Sequence, residues 1–148
     1  MKPELFVAFG HDNVKVDAKG RMFVPSKFNI NQTEELICFP RDEHYILVLL
    51  SWLRERLNEL TELKRTCNNR ELARDIEKQM RTVYHLVIGQ PMSLDAQRRI
   101  VLPQTVREKC EERVQLVGQG NKIAVFPTAE IYEEYVKKLS LETPTILR

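Results

Sequence analysis

The chain has 148 residues, 43% hydrophobic and 30% charged, a balance that suits one compact globular domain or two small intertwined halves. Its 23 Lys and Arg stand against 21 Asp and Glu, and a net charge of +2 excludes both a strongly basic chromatin-type protein and an acidic disordered tail. The densest apolar stretch, residues 45–53, is too short to span a bilayer, and no charged start followed by an apolar run announces export.

Taken in chain order, the pattern opens with short β runs at 14–16 and 21–24 around a turn, where Gly20 suits a positive φ. Pro25 ends the second run and can start a helical turn. A second hairpin follows over 36–39 and 45–49. Leu53, Leu57, Leu60 and Leu63 then recur at three- and four-residue steps on a charged helix for which Ser51 is the expected N-cap. Thr66-Cys-Asn-Asn69 interrupts the period. Leu72, Ile76, Met80, Val83 and Val87 resume it up to Gly89-Gln-Pro91, so the two helices are expected to fold back on each other. Further β runs are expected at 92–94, 99–102, 114–117 and 122–126, and a last helix over 129–139 capped by Thr128. Gly118-Gln-Gly-Asn121 precedes a strand rather than a helix, which favours a tight hairpin over a phosphate-cradling loop. Mixed hairpins and helices make the chain α+β.

Val14-Lys-Val-Asp-Ala-Lys-Gly-Arg-Met-Phe-Val-Pro25 is repeated as Met92-Ser-Leu-Asp-Ala-Gln-Arg-Arg-Ile-Val-Leu-Pro103, each residue 78 positions on. Without a gap, Leu36, Cys38 and Phe39 then align with Val114, Leu116 and Val117, and Tyr45 to Val48 with Ile123 to Phe126. The chain therefore reads as a duplicated unit. Cys38, Cys67 and Cys110 form no Cys-x-x-Cys pair, and His11, His44 and His85 are scattered. No metal, no cofactor and a reduced cytoplasmic setting are expected.

The candidate site is the Asp-x-x-x-Arg pentapeptide, from Asp17 to Arg21 and from Asp95 to Arg99. One copy alone reads as turn chemistry, the Asp accepting backbone N–H bonds. Its duplication, each time with an Arg just beyond the turn, points to nucleic-acid contact. A two-stranded ribbon fits the major groove, and an Arg at its tip can pair with the O6 and N7 edge of guanine. Asp17 and Asp95 would then fix the turns and aim Arg21 and Arg99, while Lys15, Lys19, Lys27, Arg98, Arg107 and Lys109 would meet phosphates. The local charge is only +2 over residues 11–28 and again over 91–110, so tight binding needs several subunits. The hairpin 51–87, with eight Lys and Arg and six acids, reads as a solvated surface or a subunit contact. No nucleophile with an adjacent base and no paired catalytic carboxylates stand out, so an enzyme is not expected. The other alternative is an assembly scaffold in which the motifs only pin hairpins.

Val16-Asp-Ala-Lys-Gly-Arg21 with Pro25, Leu94-Asp-Ala-Gln-Arg-Arg99 with Pro103, and Leu116-Val-Gly-Gln-Gly-Asn-Lys122 together resemble the MraZ family over nearly the whole chain. The resemblance implies duplicated β-hairpin units forming a pseudo-symmetric AbrB-like (double-psi or swapped-hairpin) β-barrel with peripheral helices. It divides the chain into a first repeat (1–50), a helical hairpin (51–88) and a second repeat with the C-terminal helix (89–148). It also implies a transcriptional regulator of the division and cell-wall gene cluster. Such a protein works in the cytoplasm at the nucleoid, as a ring-like homo-oligomer on tandem G-rich promoter boxes, with no membrane partner. One departure matters: Arg98 stands where the family usually has Gly. A non-glycine residue at positive φ costs about 1–2 kcal/mol, so either the second turn takes another geometry, the favoured expectation, or Arg98 has gained a phosphate contact, and Arg99 is expected to matter less than Arg21.

Overall fold

The computed structural model describes residues 8–139 and 144–147. Strands β1 (His11–Lys15) and β2 (Arg21–Phe23) lead through a short 3-10 turn (Ser26–Phe28) to β3 (Glu35–Arg41) and β4 (His44–Leu49). Helices α1 (Leu50–Thr66) and α2 (Arg70–Leu86) follow. The second half runs β5 (Ile88–Ser93), β6 (Arg99–Val101), α3 (Gln104–Arg107), β7 (Arg113–Gly118), β8 (Lys122–Phe126) and α4 (Ala129–Lys138). A last 3-10 turn covers Thr145–Leu147.

The strands form an antiparallel six-stranded sheet in the order β1-β7-β8-β4-β3-β5, and β2 pairs with β6 in a separate two-stranded ribbon. Each half thus gives its first strand to the other. β1 lies on β7, with Val14 opposite Val114, and β5 lies on β3, with Met92 opposite Leu36. These two pairs superimpose under a shift of 78 positions. So do Tyr45 opposite Val125 and Leu47 opposite Ile123 across the central β4–β8 pair, and Arg21 opposite Val101 and Phe23 opposite Arg99 across the ribbon.

Among the described residues the sheet is open, with β1 and β5 as its edges, and no closed barrel is formed. The reason lies in β2 and β6. Each is three residues long, they pair only with each other, and a single bridge from Val16 to Met22 ties the ribbon to its own hairpin.

Period-two alternation sorts the side chains. Met22, Val24, Ile100 and Leu102 are fully buried between ribbon and sheet, against Leu36, Leu47, Val114, Leu116, Ile123 and Val125. Burial holds the Cys38 thiol up at about 12 and the Cys110 thiol at about 11. The other face of β3 and β4, with Ile37, Phe39 and Val48, takes the helical hairpin through Trp52, Leu53, Val83 and Val87.

The caps differ from expectation in one place. Asn69, within the segment that breaks the helical period, caps α2 by accepting from the N–H groups of Glu71 at 2.9 Å and Leu72 at 3.2 Å. Thr128 caps α4 through Ile131 N–H at 3.1 Å, as expected. Ser51 does not cap α1. Strand β4 runs straight into the helix, which starts at Leu50, and the Ser51 hydroxyl donates instead to Glu34 Oε2 at 3.0 Å.

Candidate functional site

Each Asp-x-x-x-Arg segment closes a turn between two strands, and the two turns share every hydrogen bond. In the first, the Gly20 N–H donates to the Asp17 carbonyl at 2.9 Å, and the Asp17 N–H to the Arg21 carbonyl at 3.0 Å. Asp17 Oδ1 accepts from the N–H groups of Lys19 and Arg21, both at 2.9 Å, and Oδ2 accepts from Arg21 Nε at 2.7 Å. In the second, Arg98 donates to the Asp95 carbonyl at 2.9 Å and Asp95 to the Arg99 carbonyl at 2.9 Å. Asp95 Oδ1 accepts from Gln97 N at 2.9 Å and Arg99 N at 2.8 Å, and Oδ2 from Arg99 Nε at 3.0 Å. Both carboxyls lie below the usual range, chiefly because the backbone N–H of the motif arginine binds the ionised form.

A carboxylate that accepts three bonds aims its arginine. Nε is the donor in both copies, and the outer guanidinium nitrogens of Arg21 and Arg99 make no bond to Asp17 or Asp95. Their side chains are 33% and 29% exposed, at the surface rather than in the core. The ribbon brings the two together. Met22 and Ile100 face inward, so Arg21, Phe23, Arg99 and Val101 share the outer face. Arg21 and Arg99 are diagonal neighbours there, which in antiparallel strands places their Cβ atoms about 7–8 Å apart. Phe23 and Val101 complete that face at 44% and 56% exposure. The sequence reading passed over these two; the signal was the alternation that turns Met22 and Ile100 inward.

The second turn corrects an expectation. Arg98 adopts a φ of 60°, close to the 78° of Gly20, so the departure from glycine leaves the geometry unchanged. Its guanidinium is drawn onto the protein, Nε donating to the Val24 carbonyl at 3.2 Å and Nη2 to that of Ile30 at 2.8 Å. Those charge-assisted bonds offset the backbone strain. On the first turn the corresponding cover comes from Arg107, whose Nη1 donates to the Lys19 carbonyl at 2.8 Å.

The remaining cations are dispersed. Lys15 pairs with Glu112 at 3.5 Å, and Lys27 with Asp12 at 3.6 Å and the His11 carbonyl at 2.6 Å. Lys19 and Lys109 are exposed. A cleft of about 460 Å³ beside the first turn is lined by Val16, Asp17, Gly20, Arg107, Glu108 and Glu112. No group of three or more His, Cys, Asp or Glu among the described residues could hold a metal, and no described helix is long and apolar enough to cross a membrane.

Fold and site together define a small α+β protein that carries one Asp-held arginine turn twice, at the two ends of a single β ribbon. Residues 90–146 match the family described as MraZ protein. The chain is 29% identical over 124 residues to the transcriptional regulator MraZ of Hydrogenovibrio crunogenus, covering 79% of this chain and 77% of the relative. It is 26% identical over 145 residues to that of Methylococcus capsulatus, covering 90% and 89%. With that of Thioalkalivibrio sulfidiphilus it shares 29% over 125 residues, 79% and 77% of the two chains. The chain is thus similar to MraZ proteins, in its residues 90–146 by the family match and over 79–90% of its length by these relatives.

Proposed function

We propose that this chain is a sequence-specific DNA-binding transcriptional regulator. The observation that carries the reading is the outer face of the β2–β6 ribbon, where two arginines, each held at Nε by its own carboxylate, have side chains 33% and 29% exposed. That arrangement suits bidentate pairing with guanine in a major groove, and a two-stranded ribbon has the width to enter one. Asp17 and Asp95 position; Arg21 and Arg99 contact bases; Lys19, Lys15 and Lys27 meet phosphates. Arg98 acts as a brace for its turn. The relatives' name, transcriptional regulator, supports the reading.

The operator is a tandem set of G-rich boxes before the division and cell-wall gene cluster, bound at the nucleoid in the cytoplasm by a ring-like homo-oligomer. Exposed Leu63, Leu72, Tyr84 and Leu86 on the hairpin α1–α2 favour self-assembly, and the small local charge makes a lone subunit a weak binder. The exchange of first strands between halves fits the AbrB-like swapped-hairpin arrangement, with units 1–50, 51–88 and 89–148.

Gel-shift titration of the DNA upstream of the chain's own gene, with light scattering of the free and bound protein, tests the proposal. A retarded species that saturates at a multiple of the subunit supports it. An unshifted fragment at every salt concentration would leave an assembly scaffold, and turnover of a substrate would make it an enzyme.

A further inference from the structure

The ribbon's outer face holds more than its arginines. Phe23 lies directly opposite Arg99 and Val101 directly opposite Arg21, so each guanidinium has an apolar side chain as its cross-strand partner. Both are well exposed, at 44% and 56%, although Met22 and Ile100 beside them are completely buried. The two apolar groups are thus presented at the same level as the charges, not enclosed by them. From this pairing we infer that Phe23 and Val101 are specificity residues that pack on thymine C5-methyl groups next to the guanines contacted by Arg99 and Arg21.

The inference rests on the DNA-binding reading above and deepens it. Charge complementarity commits this face to DNA, because two cations flank the patch, and among the described residues no carboxylate except their own turn partners Asp17 and Asp95 pairs with them. Within the major groove the thymine methyl is the apolar group on a base-pair edge, and Phe is among the side chains that meet it. Cross-strand neighbours stand about 4.5–5.5 Å apart at Cβ, which lets an arginine and its partner touch adjacent base pairs. The two halves are unequal here. The Phe23 ring reaches further than the Val101 isopropyl group, so the half-site under Phe23 and Arg99 should depend more on its methyl than the one under Val101 and Arg21.

The test uses the full-length protein and the fragment upstream of its own gene, synthesised once with thymine and once with uracil, which differ only in the C5-methyl. The wild-type protein should bind the uracil fragment more weakly, by about fourfold for each methyl lost. Phe23→Ala and Val101→Ala should weaken binding to the thymine fragment and close that gap, Phe23→Ala more completely. Equal wild-type affinity for the two fragments overturns the inference while leaving DNA binding intact. A gap that persists undiminished in both variants also overturns it, since the methyls would then be read elsewhere. Failure to bind either fragment removes the DNA-binding reading itself. The wild-type comparison needs no variant, so a substitution that harms folding leaves it decisive.

Discussion

The turns at 17–21 and 95–99 have one backbone and two ways of covering it. At Gly20 the space beside the chain belongs to a neighbour: a Cβ there would lie 2.6 Å from Arg107 Cδ and Nη1. At position 98 the chain spends a strained φ of 60° on an arginine whose own guanidinium reaches the carbonyls of Val24 and Ile30. In both turns a guanidinium ends on backbone oxygen, delivered by α3 in one case and by the turn itself in the other. A glycine in a motif can therefore be replaced without loss of geometry when its substitute supplies the bonds that compensate for the strain.

Because the second turn is not distorted, the reason for ranking Arg21 above Arg99 disappears. Arg21→Ala and Arg99→Ala should each cost about 1–3 kcal/mol of DNA affinity, roughly 10- to 100-fold in gel-shift titrations. A large inequality between them would show that equal geometry does not mean equal use. Next in size is the cover. Gly20→Ala should destabilise the fold by about 1–2 kcal/mol in thermal unfolding, through its positive φ and the clash with Arg107. Arg107→Ala in the same chain should recover the steric part. Arg98→Ala keeps the strain and loses two carbonyl bonds, for an expected cost of about 1–3 kcal/mol.

Acid tests both turns together. The Asp17 and Asp95 carboxyls are lowered in the fold, so their contribution is fully present above an unfolded value of about 3.9 and is lost as the pH falls through the lower native values. Melting temperatures should therefore fall below about pH 4, and by less in an Asp17→Asn, Asp95→Asn double variant. The smallest effect concerns Lys19. Its alanine variant should bind every sequence somewhat less well and reduce the slope of affinity against salt by about 1.

The duplication was open to reading because apolar positions must keep step with the strands they serve. Asp17 and Asp95, Val14 and Met92, and Leu36 and Val114 share one offset in the sequence, and the strand registers keep it. Turn residues and helical stripes were equally visible, since each depends on neighbours within a few positions. What stayed hidden depends on distant partners. Ser51 looks like an N-cap until Glu34 takes its hydroxyl. The placement of Phe23 beside Arg99 and of Val101 beside Arg21 follows from the pairing of strands 78 positions apart, and the brace at Arg98 from carbonyls 68 and 74 residues away.

The trade of edge strands has a consequence for how the molecule comes into being. Neither half possesses a full sheet until the other has been made, because β1 waits for β7 and β3 receives β5. Synthesis of the amino-terminal portion thus leaves an unmatched edge that only the carboxy-terminal portion can seal. The helical connector keeps the late-coming half on the same chain, so its docking is unimolecular. A nick between α1 and α2 would turn a unimolecular closure into an encounter between fragments.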